Sequence, residues 1–251
     1  MKNLLLFLFL FIGSVYAASP FEELIKEGDS FYVKFDNLNA IKKYEEAYKL
    51  DPDNYEILLK VTRTYNDLGE ELKELEKRDE AELYINKALK SAEIFKQKYP
   101  DSAAVYAYLA LSYGNRAVYV GGKEKIKFAH KIKDNAAKAL RMNPHDYLPY
   151  IILGIYNRQI AGLNWFERAF ANTFFGKVPE GSYDEAIKMF TAALKIKPRV
   201  ILTTYQLSRV YRDMGDEQKE RELLNQLFKY RLQDYRDKYA LVKARKRLKE
   251  M

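Results

Sequence analysis

From Phe21 onward, apolar residues recur every three or four positions, with small residues at fixed places among them. Counted from Phe21, Leu24, Gly28 and Phe31 fall at positions 4, 8 and 11; Ala40, Tyr44 and Ala47 fall at 20, 24 and 27, and Pro52 at 32. That spacing predicts two amphipathic helices packed as a pair, because a 3.6-residue period gathers such positions on one face. The small residue at 8 lets the second helix approach the first, and the aromatics at 11 and 24 fill the space between them. The proline ends the second helix, since it lacks an N–H and clashes with the preceding turn. The pattern returns four times. It restarts at Leu58, Tyr65 and Gly69; at Tyr106, Leu109, Ala110 and Tyr113; at Tyr150, Leu153 and Gly154; and at Leu207, Ser208 and Tyr211. Pro100, Pro144 and Pro198 close the second, third and fourth copies, and Gly215 marks the turn of the fifth.

A 34-residue helix-pair period is that of the tetratricopeptide repeat. The expected fold is all-α, a tetratricopeptide-repeat-like right-handed helical solenoid with irregular, lengthened middle repeats. About five helix pairs and a closing helix near 230–249 make up one domain over 18–251. Successive closing prolines are 48, 44 and 54 residues apart, so the middle copies carry longer helices or inserts. The charged stretch Glu70–Glu80 is expected to extend the helices of the second repeat, and Gly121-Gly122 to break the third.

The fourth repeat holds the most individual insert. Asn164 and Glu167 form a capping box, and Ser182 and Glu185 a second one. Between them Leu163, Phe166, Phe170 and Phe174 recur at helical spacing, beside the only tryptophan, Trp165. An aromatic stripe of this kind is expected to complete the core; the alternative is a lid over a hydrophobic ligand.

The run from Ala161 to Arg168, then Phe174-Phe175-Gly176 and Tyr183-Asp184-Glu185-Ala186, resembles the regulator of microtubule dynamics family. So does Gly122 to Lys127 ahead of the helix ending Asn143-Pro144. The resemblance runs from about 53 to 240. It implies a tetratricopeptide-like domain with long irregular helices and protein binding. It further implies a lipid-binding cavity and, for some eukaryotic members, tethering of organelle membranes.

Composition narrows the chemistry. Gly 11 and Pro 7 are too few for a turn-rich β fold, and with no cysteine the fold rests on packing alone. The two histidines, His130 and His145, are not at a paired ligand spacing, so no metal site is expected. No phosphate loop or nucleophile elbow occurs, so neither a cofactor nor an enzymatic activity is implied. At the start, an apolar run from Leu4 to Gly13 is followed by Val15 and Ala17 at −3 and −1 spacing. This predicts a signal peptide over 1–17, cut after Ala17, and a periplasmic or secreted protein. The net charge of +8 is concentrated after Lys229, where nine Lys/Arg face three acids. Weak adhesion to anionic surfaces is expected there, with no specific nucleic-acid binding.

In a solenoid of this type the first helix of each pair lines the concave face. The ligand-binding residues expected on it are Leu111, Ile151, Ile155, Arg158, Tyr205, Arg209 and Arg212. They form an apolar trough with a cationic end. Such a trough suits a protein or peptide partner carrying acidic and hydrophobic anchors, and alternatively an anionic lipid or other amphipathic ligand.

Overall fold

The computed structural model describes residues 19–251; the segment 1–17, expected to be a signal peptide, lies outside them. The described residues form α-helices joined by short turns, with no strand. Consecutive helices pair antiparallel: α1 (Pro20–Tyr32) with α2 (Asn37–Leu50), α3 (Tyr55–Glu74) with α4 (Arg78–Lys98), and α5 (Ala103–Arg116) with α6 (Gly122–Met142). After α7 (Tyr147–Ala161) comes the insert helix α8 (Trp165–Phe174), and α7 pairs with α9 (Tyr183–Ile196). The array ends with α10 (Ile201–Asp213) on α11 (Glu217–Leu227), then α12 (Tyr235–Glu250). The last helix starts at Tyr235 and not at Tyr230, because Asp234 provides its cap, accepting from the Arg236 N–H at 2.9 Å.

The sequence sets these boundaries locally. Helices α2, α4, α6 and α9 stop at Leu50, Lys98, Met142 and Ile196, two residues ahead of Pro52, Pro100, Pro144 and Pro198. A residue preceding proline avoids the helical region, so each proline acts one position upstream. Side chains of Ser19, Asp36, Asn54, Asp146, Asn164, Ser182 and Asp216 accept from the first free N–H groups of their helices. Each such cap contributes about 1 kcal/mol. The extra length of the middle repeats lies in α3, α4 and α6, of 20, 21 and 21 residues. The charged stretch does extend α3 to Glu74 and starts α4 at Arg78, but it also contains the turn between them, where Glu76 adopts a φ of 61°.

Close approach within a pair depends on the small positions. A Cβ added at Gly28 would sit 2.4 Å from the Tyr44 ring, one at Gly69 2.5 Å from Ile85, and one at Gly154 2.6 Å from Phe190. All three partners are buried, and they anchor the core of their repeats.

First helices also meet one another: α3 touches α5, α5 touches α7, α7 touches α10, and α10 touches α12. This inner layer then returns on itself. The Tyr235 hydroxyl donates to Glu70 Oε2 at 3.2 Å, Arg236 Nη1 lies 3.5 Å from the same oxygen, and Lys243 pairs with Glu74. The last helix therefore spans from the fifth pair back to the second.

The insert departs from expectation. Its capping box forms as the spacing predicts, with Asn164 and Glu167 exchanging bonds of 2.9 Å. The aromatic stripe, however, does not complete the core. Helix α8 buries none of its residues; it rests on α6 through Ala171, with Leu163 and Phe175 beside it, and turns Trp165, Phe166, Phe170 and Phe174 to solvent.

Candidate functional site

Two polar clusters lie along the inner layer. The first joins α7 to α10. Arg158, one turn from the end of α7, is buried and pairs with Asp213 through Nη1 and Oδ2 at 2.7 Å. Arg212 Nε approaches the other oxygen of Asp213 at 3.5 Å. Arg209 is half-buried and donates to Gln206 at 3.3 Å. Burial first, and then the charges of Arg158 and Arg212, lower its pKa below the ordinary arginine value. Two guanidinium groups thus share the Asp213 carboxylate with Arg209 nearby, and Arg158 Nε is buried without a partner. An unpaired buried donor is a place where an acceptor gains more than it would in water.

The apolar residues expected around these arginines have different placements. Ile155 is half-buried at the edge of the core shared by α7, α9 and α10. Ile151 lies inside that core, which removes it from an open surface. Tyr205 packs toward Ile201 and the α11–α12 side, and Leu111 belongs to the separate core between α5, α6 and α7. The structure therefore brings the arginines together and spreads the apolar set over three cores.

The second cluster, between α1, α3 and the start of α12, has no counterpart among the residues expected from the sequence. Asp67 is buried and accepts the Tyr32 hydroxyl at 2.8 Å, while the Arg63 guanidinium lies 3.9 Å over the Tyr32 ring. Burial raises the Asp67 carboxyl pKa to about 7, with Arg236 opposing the rise and Asp234 and Glu70 adding to it. Asp234 holds Arg236 by two bonds of 2.8 and 2.7 Å. Asp237, fully buried, accepts the backbone N–H of Leu202 at 3.0 Å and of Gln233 at 2.8 Å, pinning α12 to the start of α10. The one signal for this cluster in the sequence is acidic residues at helical spacing on α3, which reads equally as a solvated face.

The basic C-terminal stretch is largely committed within the chain. Arg236 and Lys243 pair with α3, and Arg247 grips the buried Glu220 with two bonds of 2.9 Å. Lys238 lies over the Phe35 ring and Arg245 over Phe228. Lys229, Arg231, Lys246 and Lys249 remain exposed. Two depressions open to solvent lie elsewhere, one on α11 around Arg221 and one between α1 and the start of α3 around Ile25 and Asn54. His130 points Nε2 at the Lys177 carbonyl oxygen at 3.3 Å.

Stacked antiparallel helix pairs with an inner layer of first helices define a tetratricopeptide-like scaffold, a class used for protein–protein interaction. A solved tetratricopeptide-repeat protein of Thermus thermophilus has the same fold, with a TM-score of 0.64 at 17% identity, over 89% of this chain and 98% of that one. The chain belongs to the family of regulator of microtubule dynamics proteins 1–3, whose model matches residues 24–251. It is similar to mouse regulator of microtubule dynamics protein 1, 26% identical over 189 residues covering 73% of this chain and 59% of that protein. Human regulator of microtubule dynamics protein 2 is 25% identical over 194 residues, 76% of this chain and 46% of that protein. The chain thus spans about half the length of these relatives.

Family membership corrects the expectation of a periplasmic or secreted protein. The relatives that overturn it are mammalian proteins named for the regulation of microtubule dynamics. The physical reason for the misreading is that a short apolar run with small residues after it has the composition of an export signal without specifying cleavage.

Proposed function

We propose that this chain is a non-enzymatic scaffold whose α7–α10 face holds an acidic segment of a protein partner. The observation that carries the reading is the arginine cluster: Arg158 and Arg212 pair with Asp213, Arg209 stands beside them with no carboxylate partner, and Arg158 Nε is left unpaired. A carboxylate entering beside them would meet planar donors in partly desolvated surroundings, where charged hydrogen bonds are strongest. The relatives' names supply the first partner to test, a microtubule, alongside acidic peptides carrying hydrophobic anchors.

The experiment compares the parent with Arg209→Ala/Arg212→Ala in microtubule co-sedimentation and in peptide titration. Melting curves establish that both variants are folded. Lys246→Ala/Lys249→Ala, which removes exposed C-terminal charge without touching an ion pair, serves as the control. The inner-face variant should lose roughly 1.5–3 kcal/mol of binding per charged hydrogen bond removed, and the control should bind like the parent. Equal capture by all three proteins would remove the arginine cluster from the site.

A further inference from the structure

Helix α8 reverses the ordinary arrangement of an amphipathic helix. Its narrow side, with Ala171, faces the body, and its bulk faces out: Trp165 is 81% exposed, Phe174 65%, Phe166 63% and Phe170 46%. The rings touch one another in a row, with centroids 6.0 Å apart for Trp165 and Phe166, 6.5 Å for Phe166 and Phe170, and 4.7 Å for Phe170 and Phe174. A contiguous row of exposed aromatic rings marks an interaction surface. It is fixed in place despite its exposure. A capping box starts the helix, Gly176 at φ 115° ends it, and Arg168 ties it to the carbonyl oxygens of Ile160 and Pro179 at 2.9 and 3.3 Å.

Charge beside the ridge indicates the occupant. Phe175 lies against Gly122, where an added Cβ would fall 2.4 Å from its ring, so the ridge abuts the first turns of α6. Those turns present Lys123 and Lys127, four residues apart on one face of α6, both exposed and without an ion pair among the described residues, with Glu124 beside them and Glu167 on α8. Lys177, also exposed, follows the end of α8. Tryptophan and phenylalanine projecting from a helix, flanked by free lysines, match a bilayer surface: the rings enter the headgroup–acyl boundary and the ammonium groups meet anionic headgroups.

We propose that the α8 ridge is a membrane-docking surface that inserts Trp165, Phe166, Phe170 and Phe174 into an anionic leaflet, with Lys123, Lys127 and Lys177 resting on its headgroups. This surface is separate from the arginine cluster and independent of the scaffold reading. Docking there would present the scaffold to a partner with one fixed edge on a membrane.

The only tryptophan of the chain stands on the ridge, so its emission reads the contact directly. The full chain is titrated with phosphatidylcholine vesicles containing about 30% phosphatidylserine, and with vesicles of phosphatidylcholine alone. Trp165 emission should shift to the blue with the anionic vesicles and be quenched by lipids brominated on the acyl chain. Phe166→Ser/Phe174→Ser, which alters only exposed side chains, should weaken vesicle partitioning by about tenfold or more. Lys123→Glu/Lys127→Glu/Lys177→Glu should abolish the preference for the anionic vesicles. Vesicle binding with unshifted Trp165 emission, or binding unchanged in the serine variant, would overturn the proposal by placing the contact elsewhere in the chain. A blue shift that needs no vesicle and grows with protein concentration, with dimers in sedimentation equilibrium, would overturn it in favour of a second copy.

Discussion

Substituting Gly154 by alanine tests the helix-pair geometry at its tightest point in the fourth repeat. The added methyl carbon would fall 2.6 Å from Cε1, 2.7 Å from Cζ and 2.8 Å from Cδ1 of Phe190. Nonbonded carbons rest about 3.5–4.0 Å apart, so the ring must retreat by about 1 Å. Phe190 is fully buried in the core with Ile151, Ala193 and Leu207, and a close-packed interior gives it no space to enter. Overpacking of this kind costs roughly 1–3 kcal/mol, while alanine in a helix interior regains about 1 kcal/mol over glycine. The net loss for Gly154→Ala is about 1 kcal/mol, and Gly154→Leu, with more atoms to place, should lose more. Gly114 in α5 is the internal control. A Cβ there meets only Ile132 Cδ1 at 4.0 Å, so Gly114→Ala should stabilise by about 0.5–1 kcal/mol. Urea titrations followed by far-ultraviolet circular dichroism compare the midpoints of parent and variants. A Gly154→Ala midpoint equal to or above that of Gly114→Ala would refute the close contact with Phe190.

The buried Asp67 makes stability fall with rising pH. Its folded pKa of about 7 lies above the unfolded aspartate value, so between about 4 and 7 the folded state holds the extra proton. The contribution is fully present below the unfolded pKa and lost as pH rises through the folded one, with a slope of at most about 1.4 kcal/mol per pH unit. Asp67→Asn should flatten the dependence of unfolding midpoint on pH across that window, and an unchanged slope would show that Asp67 is ionised in the fold. Arg247→Ala strands the buried Glu220 carboxylate and should destabilise by roughly 2–4 kcal/mol in thermal or urea melts, whereas Arg247→Ala/Glu220→Leu should recover most of the loss. Tyr235→Phe removes the hydroxyl bonded to Glu70 and should cost roughly 0.5–1.5 kcal/mol, measurable as faster amide exchange in α3 as well as in α12.

How much of the molecule is legible in its sequence depends on the range of the interaction. Gly28, Gly69 and Gly154 announce close helix contacts because their partners lie in the second helix of the same repeat, and the four closing prolines act on the residues just before them. The Asn164–Glu167 capping box is legible for the same reason. The grouping of Arg158, Arg209 and Arg212 follows from repeat phase, since equivalent positions on adjacent first helices become neighbours. Phase does not tell which neighbouring positions turn inward to the core, so it places Ile151 and Leu111 in an open trough when packing directs them elsewhere. The outward turn of the α8 aromatics is hidden too, because periodicity reports that residues share a face and not what the face meets. Pairing of Tyr235 with Glu70 joins residues 165 apart, and no local pattern encodes it.

That last pairing changes the mechanics of the array. An open solenoid behaves as a spring: each repeat feels only its neighbours, and units can be added, lost or stretched apart with local effect. Fastening α12 to α3 turns the spring into a hoop. The number of turns becomes fixed by the circumference, since one repeat more or fewer would leave the clasp out of reach. Strain applied at α7 can then travel both ways around, so loosening at the end of the chain would be felt near its beginning.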